Sequence, residues 1–135
     1  MSKAILALDI GEKRIGVAQG DIDRRIAFPY DTIEVDSNEV RAIAELVMAN
    51  EVKTLVVGYP RNQSGEPTKQ TAYVEEFVKT IAELDIDAEI VYQDESLTSV
   101  QAEARLGTRI KNKGEIDAEA ASIILQDYLE AQYAH

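Results

Sequence analysis

The stretch AILALDIGEKRIGVAQGD, residues 4–21, decides the fold. Two apolar runs, Ala4 to Leu8 and Ile15 to Gln19, flank a short polar segment that contains Gly11. Short aliphatic and β-branched runs punctuated by glycine are typical of strands joined by tight turns. A third run of this kind, Ile26 to Val35, follows directly. We therefore predict that the chain opens with a three-stranded antiparallel meander.

The middle of the chain alternates between helical and strand patterns. Asp36 to Glu39 has the spacing of a capping box, and apolar residues recur at the helical period after it. Lys53 to Gly58 contains an uninterrupted apolar run, which is typical of a strand buried on both faces. A second helical pattern starts at Thr68, and Ala88 to Tyr92 predicts a further strand that leads into Gln93-Asp94-Glu95.

The last third of the chain predicts two helices separated by a loop. Thr98 has the position of an N-cap for a helix through Leu106, and Gly107 to Glu115 is polar and basic, as loops often are. The final helix is predicted to start near Ile116 and to run through Tyr128. Strands followed by alternating elements predict an α/β three-layer fold, with a mixed five-stranded sheet and helices on both faces.

Composition limits the class of protein. A length of 135 residues predicts one domain over residues 1–135. The absence of cysteine excludes a disulfide framework, a thiolate zinc site and a cysteine nucleophile, and it suits a cytoplasmic location. The one histidine is His135, so a Ser-His-Asp triad has no base. The N-terminal apolar run is too short for a signal peptide or a membrane span.

The net charge of −11 argues against a nucleic-acid partner, so the distribution of the charges along the chain has to be considered. Residues 31–100 hold fifteen acidic and five basic side chains, and residues 115–135 hold five acidic and no basic ones. Basic side chains are concentrated at two other places. These are a group near the N-terminus, with Lys13, Arg14, Arg24 and Arg25, and a later stretch that contains Arg105, Arg109, Lys111 and Lys113.

Three acids occupy positions where chemistry is expected. Asp9 ends the first predicted strand, Glu95 follows the last one, and Asp117 opens the predicted final helix. Ligands of α/β sheets gather at the carboxyl ends of strands. Converging carboxylates repel one another unless cations lie between them, and their hard oxygen atoms favour Mg²⁺ or Mn²⁺. A pair of such ions suits phosphodiester hydrolysis. Singly, each acid is also explained as a turn, loop or helix-capping residue.

The segments around these acids resemble the motifs of the YqgF/RuvX family, whose members are described as Holliday junction resolvase-like proteins and as nucleases for precursor 16S ribosomal RNA. The four segments occur in the family's order and span nearly the whole chain. They are LDIGEKRIGVA (residues 8–18), VVGYP (56–60) with Gly65, DESLTS (94–99) and DAEAASIILQ (117–126).

The resemblance implies a ribonuclease H-like fold, a cytoplasmic location and a two-metal-ion nuclease that matures the 5′ end of 16S ribosomal RNA. The family's metal-binding acids correspond to Asp9, Glu95 and Asp117. The implied partner is structured RNA or branched DNA, the implied state is a monomer or homodimer, and no membrane is involved. Phosphate contacts are expected from the basic side chains Lys13, Arg14, Arg105, Arg109, Lys111 and Lys113.

The sequence departs from the family pattern at three places. Gly20 stands where a Ser is usual, Ser96 stands where an Arg commonly follows the acid, and Thr68-Lys69-Gln70 lacks the usual Pro-Arg. Two absent arginines predict weaker phosphate contacts rather than a lost metal site.

Three alternatives stay open on sequence grounds. The first is a resolvase that cuts branched DNA. The second is a non-catalytic RNA-binding or transcription-associated module, which would suit the net charge. The third is a nucleotide-binding ATPase, because the turn after Asp9 also resembles a phosphate loop of actin-like proteins. Those proteins clamp their nucleotide between two domains of this fold, whereas 135 residues supply one.

Overall fold

The computed structural model describes residues 4–60, 66–94 and 113–133. Five strands and three helices lie in these ranges, and we number them in chain order. No helix among them is long and apolar enough to cross a bilayer. The elements are β1 (Ala4–Ile10), β2 (Arg14–Asp21), β3 (Ile26–Glu34), α1 (Glu39–Ala49), β4 (Thr54–Tyr59), α2 (Lys69–Ala82), β5 (Glu89–Asp94) and α3 (Lys113–Tyr133).

The five strands form one mixed sheet in the order β3-β2-β1-β4-β5. β1 pairs antiparallel with β2, β2 pairs antiparallel with β3, and β4 lies parallel to both β1 and β5. The predicted meander and the predicted mixed sheet are therefore confirmed. The carboxyl ends of β1, β4 and β5 consequently lie along the same edge of the sheet.

The two faces of β1 carry two separate apolar cores, because successive side chains of a strand point to opposite faces. Leu6 and Leu8 pack with α1 and α2. Ile5 and Ala7 pack with α3 on the other face. By the same alternation, Asp9 lies on the α3 face of the sheet, beyond the apolar run. The α3 side chains of this second core are Ala121, Ile124, Leu125 and Leu129.

The edge strand β3 contains a bulge. Ala18 lies opposite Pro29 and Val17 lies opposite Asp31, so Tyr30 is the extra residue between two successive pairs. Proline has no N–H group to donate and is tolerated in edge strands and at bulges. Bulges also change the direction of a side chain. Tyr30 is accordingly 44% exposed.

The predicted capping box at the start of α1 is wrong. The N-cap is Asn38, which makes no side-chain capping bond. One half of the predicted pair exists, since the Asp36 N–H donates to the Glu39 carboxylate at 3.1 Å. The Asp36 carboxylate instead accepts from the Asn38 N–H at 3.0 Å. Ser37, between Asp36 and the N-cap, has a positive φ of 79°.

The start of α3 also differs from the prediction. The helix begins at Lys113 rather than near Ile116, so the last three residues of the predicted loop are helical. The Thr32 hydroxyl donates to the Gly114 carbonyl oxygen at 2.7 Å, and this bond from β3 holds the first turn. Asp117 therefore lies in the second turn and does not open the helix. The predicted helix from Thr98 to Leu106 lies outside the described residues.

Truncation of the α3 core should destabilise the protein strongly. Ile124 is fully buried, so Ile124→Ala should lower the free energy of unfolding by about 2–5 kcal/mol. Met48 is 62% exposed on α1, and Met48→Ala should change that free energy by less than about 0.5 kcal/mol. Urea denaturation followed by circular dichroism measures both values. Equal effects of the two substitutions would contradict the described packing.

Candidate active site

Asp9 lies at the carboxyl end of the central strand. It is the next-to-last residue of β1 and is half-buried. Its partner across the antiparallel pair is Gly16 of β2. Directly opposite residues of such a pair have Cα atoms roughly 4.5–5.5 Å apart and side-chain positions on the same face. The face that Asp9 shares with Gly16 is the one that α3 covers.

Gly16 permits a close approach of α3 to the sheet. A Cβ atom built on Gly16 would lie 1.9 Å from the Asp117 carbonyl oxygen and 2.9 Å from the Ala118 nitrogen. Any side chain at this position would displace the helix, so the contact requires glycine. Because Gly16 is also the partner of Asp9, the Asp117 backbone packs on the strand pair that contains Asp9, on the face that Asp9 shares.

The Asp117 carboxylate is paired with a cation from β2. The Arg14 Nε donates to Asp117 Oδ2 at 2.7 Å. The exposed fractions are 28% for the Arg14 side chain and 25% for the Asp117 side chain. A charge-assisted bond of this length between partly buried groups holds both side chains in position. This site therefore already has an acid that is held against a positive charge.

A cleft of about 360 Å³ opens beside this ion pair. Gln70 of α2 lines this cleft. The sequence did not predict this role, because Gln70 stood out only as part of the segment 68–70, which lacks the usual Pro-Arg. Its amide Nε2 donates to the Ile10 carbonyl oxygen at 2.8 Å, so a neutral side chain closes the end of β1. The cleft is lined by Gly11, Glu12, Lys13, Arg14, Gln70 and Asp117.

Only some of the predicted site residues belong to the described part of the chain. Asp9 is the strand partner of Gly16, on which the Asp117 backbone packs, and Lys13, Arg14 and Asp117 line the cleft. Lys113 is the first residue of α3, and its side chain is outside the described part. Within residues 4–60, 66–94 and 113–133, no three acidic or histidine side chains form a group that would hold a metal ion. The remaining predicted residues, Glu95, Arg105, Arg109 and Lys111, lie outside those ranges.

The glycine at position 20 has a physical explanation. A Cβ atom there would lie 2.8 Å from the Ile26 carbonyl oxygen and 3.0 Å from Leu125 Cδ2. The edge strand and α3 thus close around β2 at this point. A serine at this position, usual in the YqgF/RuvX pattern, requires one of these neighbours to move.

The mixed five-stranded sheet in the order β3-β2-β1-β4-β5, with helices on both faces, has the ribonuclease H-like fold. Two solved structures share this fold with the chain. One is Thermus thermophilus RuvC with a Holliday junction substrate, at TM-score 0.58 and 12% identity over 97% of this chain and 96% of that one. The other is the fowlpox virus resolvase with junction DNA, at TM-score 0.60 and 12% identity over 96% and 99%.

The chain belongs to the RuvX family, whose sequence model, described as Holliday junction resolvase, matches residues 3–131. A relative from Chloroflexus aggregans is 44% identical over 96% of this chain and 95% of its own length. A relative from Synechocystis is 41% identical over 100% and 93%. Both carry the name "Putative pre-16S rRNA nuclease". The predicted family and fold class are confirmed.

Gly16→Ala should separate α3 from β2. The added methyl group meets helix backbone at 1.9 Å, so the substitution should lower the free energy of unfolding by about 1–3 kcal/mol or more. Gly20→Ala should cost less, because its nearest contacts are 2.8 Å and 3.0 Å and one of them is a leucine side-chain end. Urea unfolding of both variants gives the comparison. A harmless Gly16→Ala would mean that α3 does not approach the sheet this closely.

Proposed function

We propose that this chain is a metal-dependent nuclease that hydrolyses phosphodiester bonds, with Asp9, Glu95 and Asp117 as its metal-binding acids. The observation that carries the proposal is the packing of the Asp117 backbone on Gly16, the strand partner of Asp9, beside a cleft whose charged lining residues are Glu12, Lys13, Arg14 and Asp117. Membership of the RuvX family and the names of its close relatives support it.

The acids of the cleft fit a divalent metal ion. Carboxylate oxygens are the ligands that Mg²⁺ and Mn²⁺ prefer. The Asp117 carboxylate is held 2.7 Å from the Arg14 guanidinium nitrogen, so a positive charge already occupies this position. Glu95 follows Asp94, the last residue of β5, and is the proposed third ligand. A pair of bound ions would supply charge neutralisation and an activated water for the hydrolysis.

The protein's own groups have distinct tasks in this proposal. The carboxylates of Asp9 and Asp117 attract metal cations to the carboxyl end of β1. Lys13 and Arg14 neutralise the phosphate that enters the cleft, and Gln70 keeps the end of β1 in place through its bond to the Ile10 carbonyl. Further phosphate contacts are proposed for the basic side chains outside the cleft lining, namely Arg105, Arg109, Lys111 and Lys113.

The proposed substrate is precursor 16S ribosomal RNA, cut during maturation of its 5′ end. The names of the two relatives support this substrate. A four-way DNA junction is the second candidate, and the description of the family favours it. We further propose that the chain acts in the cytoplasm as one domain, either as a monomer or as a homodimer.

Cleavage of labelled RNA tests the nuclease. The wild-type protein should cut precursor 16S RNA when Mg²⁺ or Mn²⁺ is added, and Asp9→Asn should lose at least about a hundredfold in rate, because one ligand of the metal is gone. A labelled four-way DNA junction is assayed in parallel, and the faster reaction identifies the preferred substrate.

The matched control is Asp87→Asn, the same carboxylate-to-amide change at a remote site. The Asp87 side chain is 95% exposed and pairs with Lys53 just before β5 begins, and that hydrogen bond lowers the Asp87 pKa. An exposed pair contributes little to stability, so this variant should cut at the wild-type rate. Unchanged cutting by Asp9→Asn would reject the proposed site. RNA binding without cutting of either substrate would favour the non-catalytic module.

Arg14 and a metal ion should compete for Asp117. Removing the guanidinium frees the carboxylate and takes away a positive charge that repels the metal ion. Arg14→Gln should therefore bind Mn²⁺ more tightly than the wild type, by about two- to tenfold, as expected for an ion pair of roughly 1 kcal/mol. The same variant should cut more slowly, because it has lost a phosphate contact. Electron paramagnetic resonance of free Mn²⁺ measures the affinity without any substrate.

Arg24→Gln provides the control for this measurement. Arg24 is exposed in the turn after β2 and does not line the cleft, yet the substitution changes the net charge equally. Its Mn²⁺ affinity should equal that of the wild type. If Arg14→Gln and Arg24→Gln bind Mn²⁺ alike, the ion does not bind at Asp117.

A further inference from the structure

A second and larger groove lies between β3 and the first turns of α3. Its volume is about 700 Å³, within the range of small-molecule binding sites. The bulged strand supplies one wall and the helix supplies the other. The groove lining includes Arg14, Tyr30, Glu34, Glu115, Ala118 and Glu119.

Tyr30 presents an aromatic ring to this groove. It is the extra residue of the β3 bulge, it is 44% exposed, and Pro29 lies next to it in the wall. Tyr73 and Tyr128, in contrast, are partly buried against the two cores. An exposed ring in a groove is suited to stack on a flat, unsaturated ligand such as a nucleobase.

The charges of the groove determine which part of a nucleotide it accepts. Four carboxylates line it, and Arg14 is the one basic side chain among its described lining residues. Phosphate is repelled by such a surface, whereas carboxylates accept hydrogen bonds from base amino groups, as they do from the cytosine N4 amino group. Uracil and thymine have no amino group. The carboxylates belong to Asp31, Glu34, Glu115 and Glu119.

The groove adjoins the proposed active-site cleft. Arg14 lines both cavities. Asp117 lines the cleft and its neighbour Ala118 lines the groove, so successive residues of α3 face the two cavities. A nucleic acid whose phosphate lies in the cleft therefore has a neighbouring base within reach of the groove.

We propose that this groove binds one unpaired nucleobase that carries an amino group, next to the phosphodiester that the cleft holds. The base stacks on Tyr30, and its amino group donates to the groove carboxylates. This inference rests on the proposed function, because it assumes that a nucleic acid occupies the cleft. It gives the protein a preference for single-stranded or unstacked positions and for cytosine over uracil.

Binding of short RNA homopolymers tests the groove. Cytosine carries a 4-amino group where uracil carries a carbonyl oxygen, and uracil also carries a hydrogen on N3. Fluorescence anisotropy in EDTA measures the affinity for oligocytidylate and oligouridylate without cleavage. The wild-type protein should bind oligocytidylate more tightly. Tyr30→Ala should weaken that binding by about five- to a hundredfold, the usual effect of losing one base stack. Tyr30→Phe keeps the ring and should bind as the wild type does. Glu119→Ala should reduce the preference for cytosine.

Tyr92→Ala is the matched control, because Tyr92 is also 44% exposed but lies on β5 at the other edge of the sheet. Its affinity should be unchanged. Equal binding of the two homopolymers by the wild type, or weaker binding by Tyr92→Ala alone, would overturn the proposal that the groove binds a base. The Asp9→Asn cleavage assay is a separate readout. If Asp9→Asn loses cleavage while Tyr30→Ala binds normally, base binding in the groove is refuted and the proposed nuclease is retained. If Asp9→Asn still cleaves while Tyr30→Ala binds weakly, base binding in the groove is supported and the proposed metal site is refuted.

Discussion

The close contact between α3 and β2 at Gly16 is the constraint on which the rest of the structure depends. It places the helix backbone where a Cβ atom would stand, so the helix lies directly on the sheet. The apolar side chains of α3 then reach the core formed by β1. The same contact packs the Asp117 backbone on the strand partner of Asp9, and the Asp117 carboxylate pairs with Arg14. Packing and the proposed chemistry therefore have one common origin.

Arg14 connects the two cavities of the protein. Its guanidinium pairs with Asp117, and its side chain lines both the cleft and the groove. One cation among several carboxylates explains how a chain with a net charge of −11 can belong to a family of nucleases. In the proposed mechanism, metal ions balance the acids of the cleft, while the acids of the groove select a base rather than a phosphate. The acidic surface then contributes to selectivity.

Local patterns in the sequence predict the sheet well. The apolar runs of β1, β2 and β4 specify strands, and the second helical pattern begins at Thr68, which is the N-cap of α2. The predicted start of α3 was wrong because the hydrogen bond from Thr32 to Gly114 comes from a strand that is distant in the sequence. Arg14 and Asp117 are 103 residues apart, so no local pattern indicated their ion pair. Glu95 lies outside the described residues, and its place as a metal ligand stays a prediction.

Localised cleavage of the protein by bound iron tests most directly whether the three acids share a metal site. Fe²⁺ replaces Mg²⁺ at oxygen-ligand sites, and with ascorbate and peroxide it cuts the polypeptide beside the ion. We expect cuts near Asp9, Glu95 and Asp117 together, all suppressed by excess Mg²⁺ and all absent in Asp9→Asn. Cuts confined to other segments, or cuts that Mg²⁺ does not suppress, would contradict it.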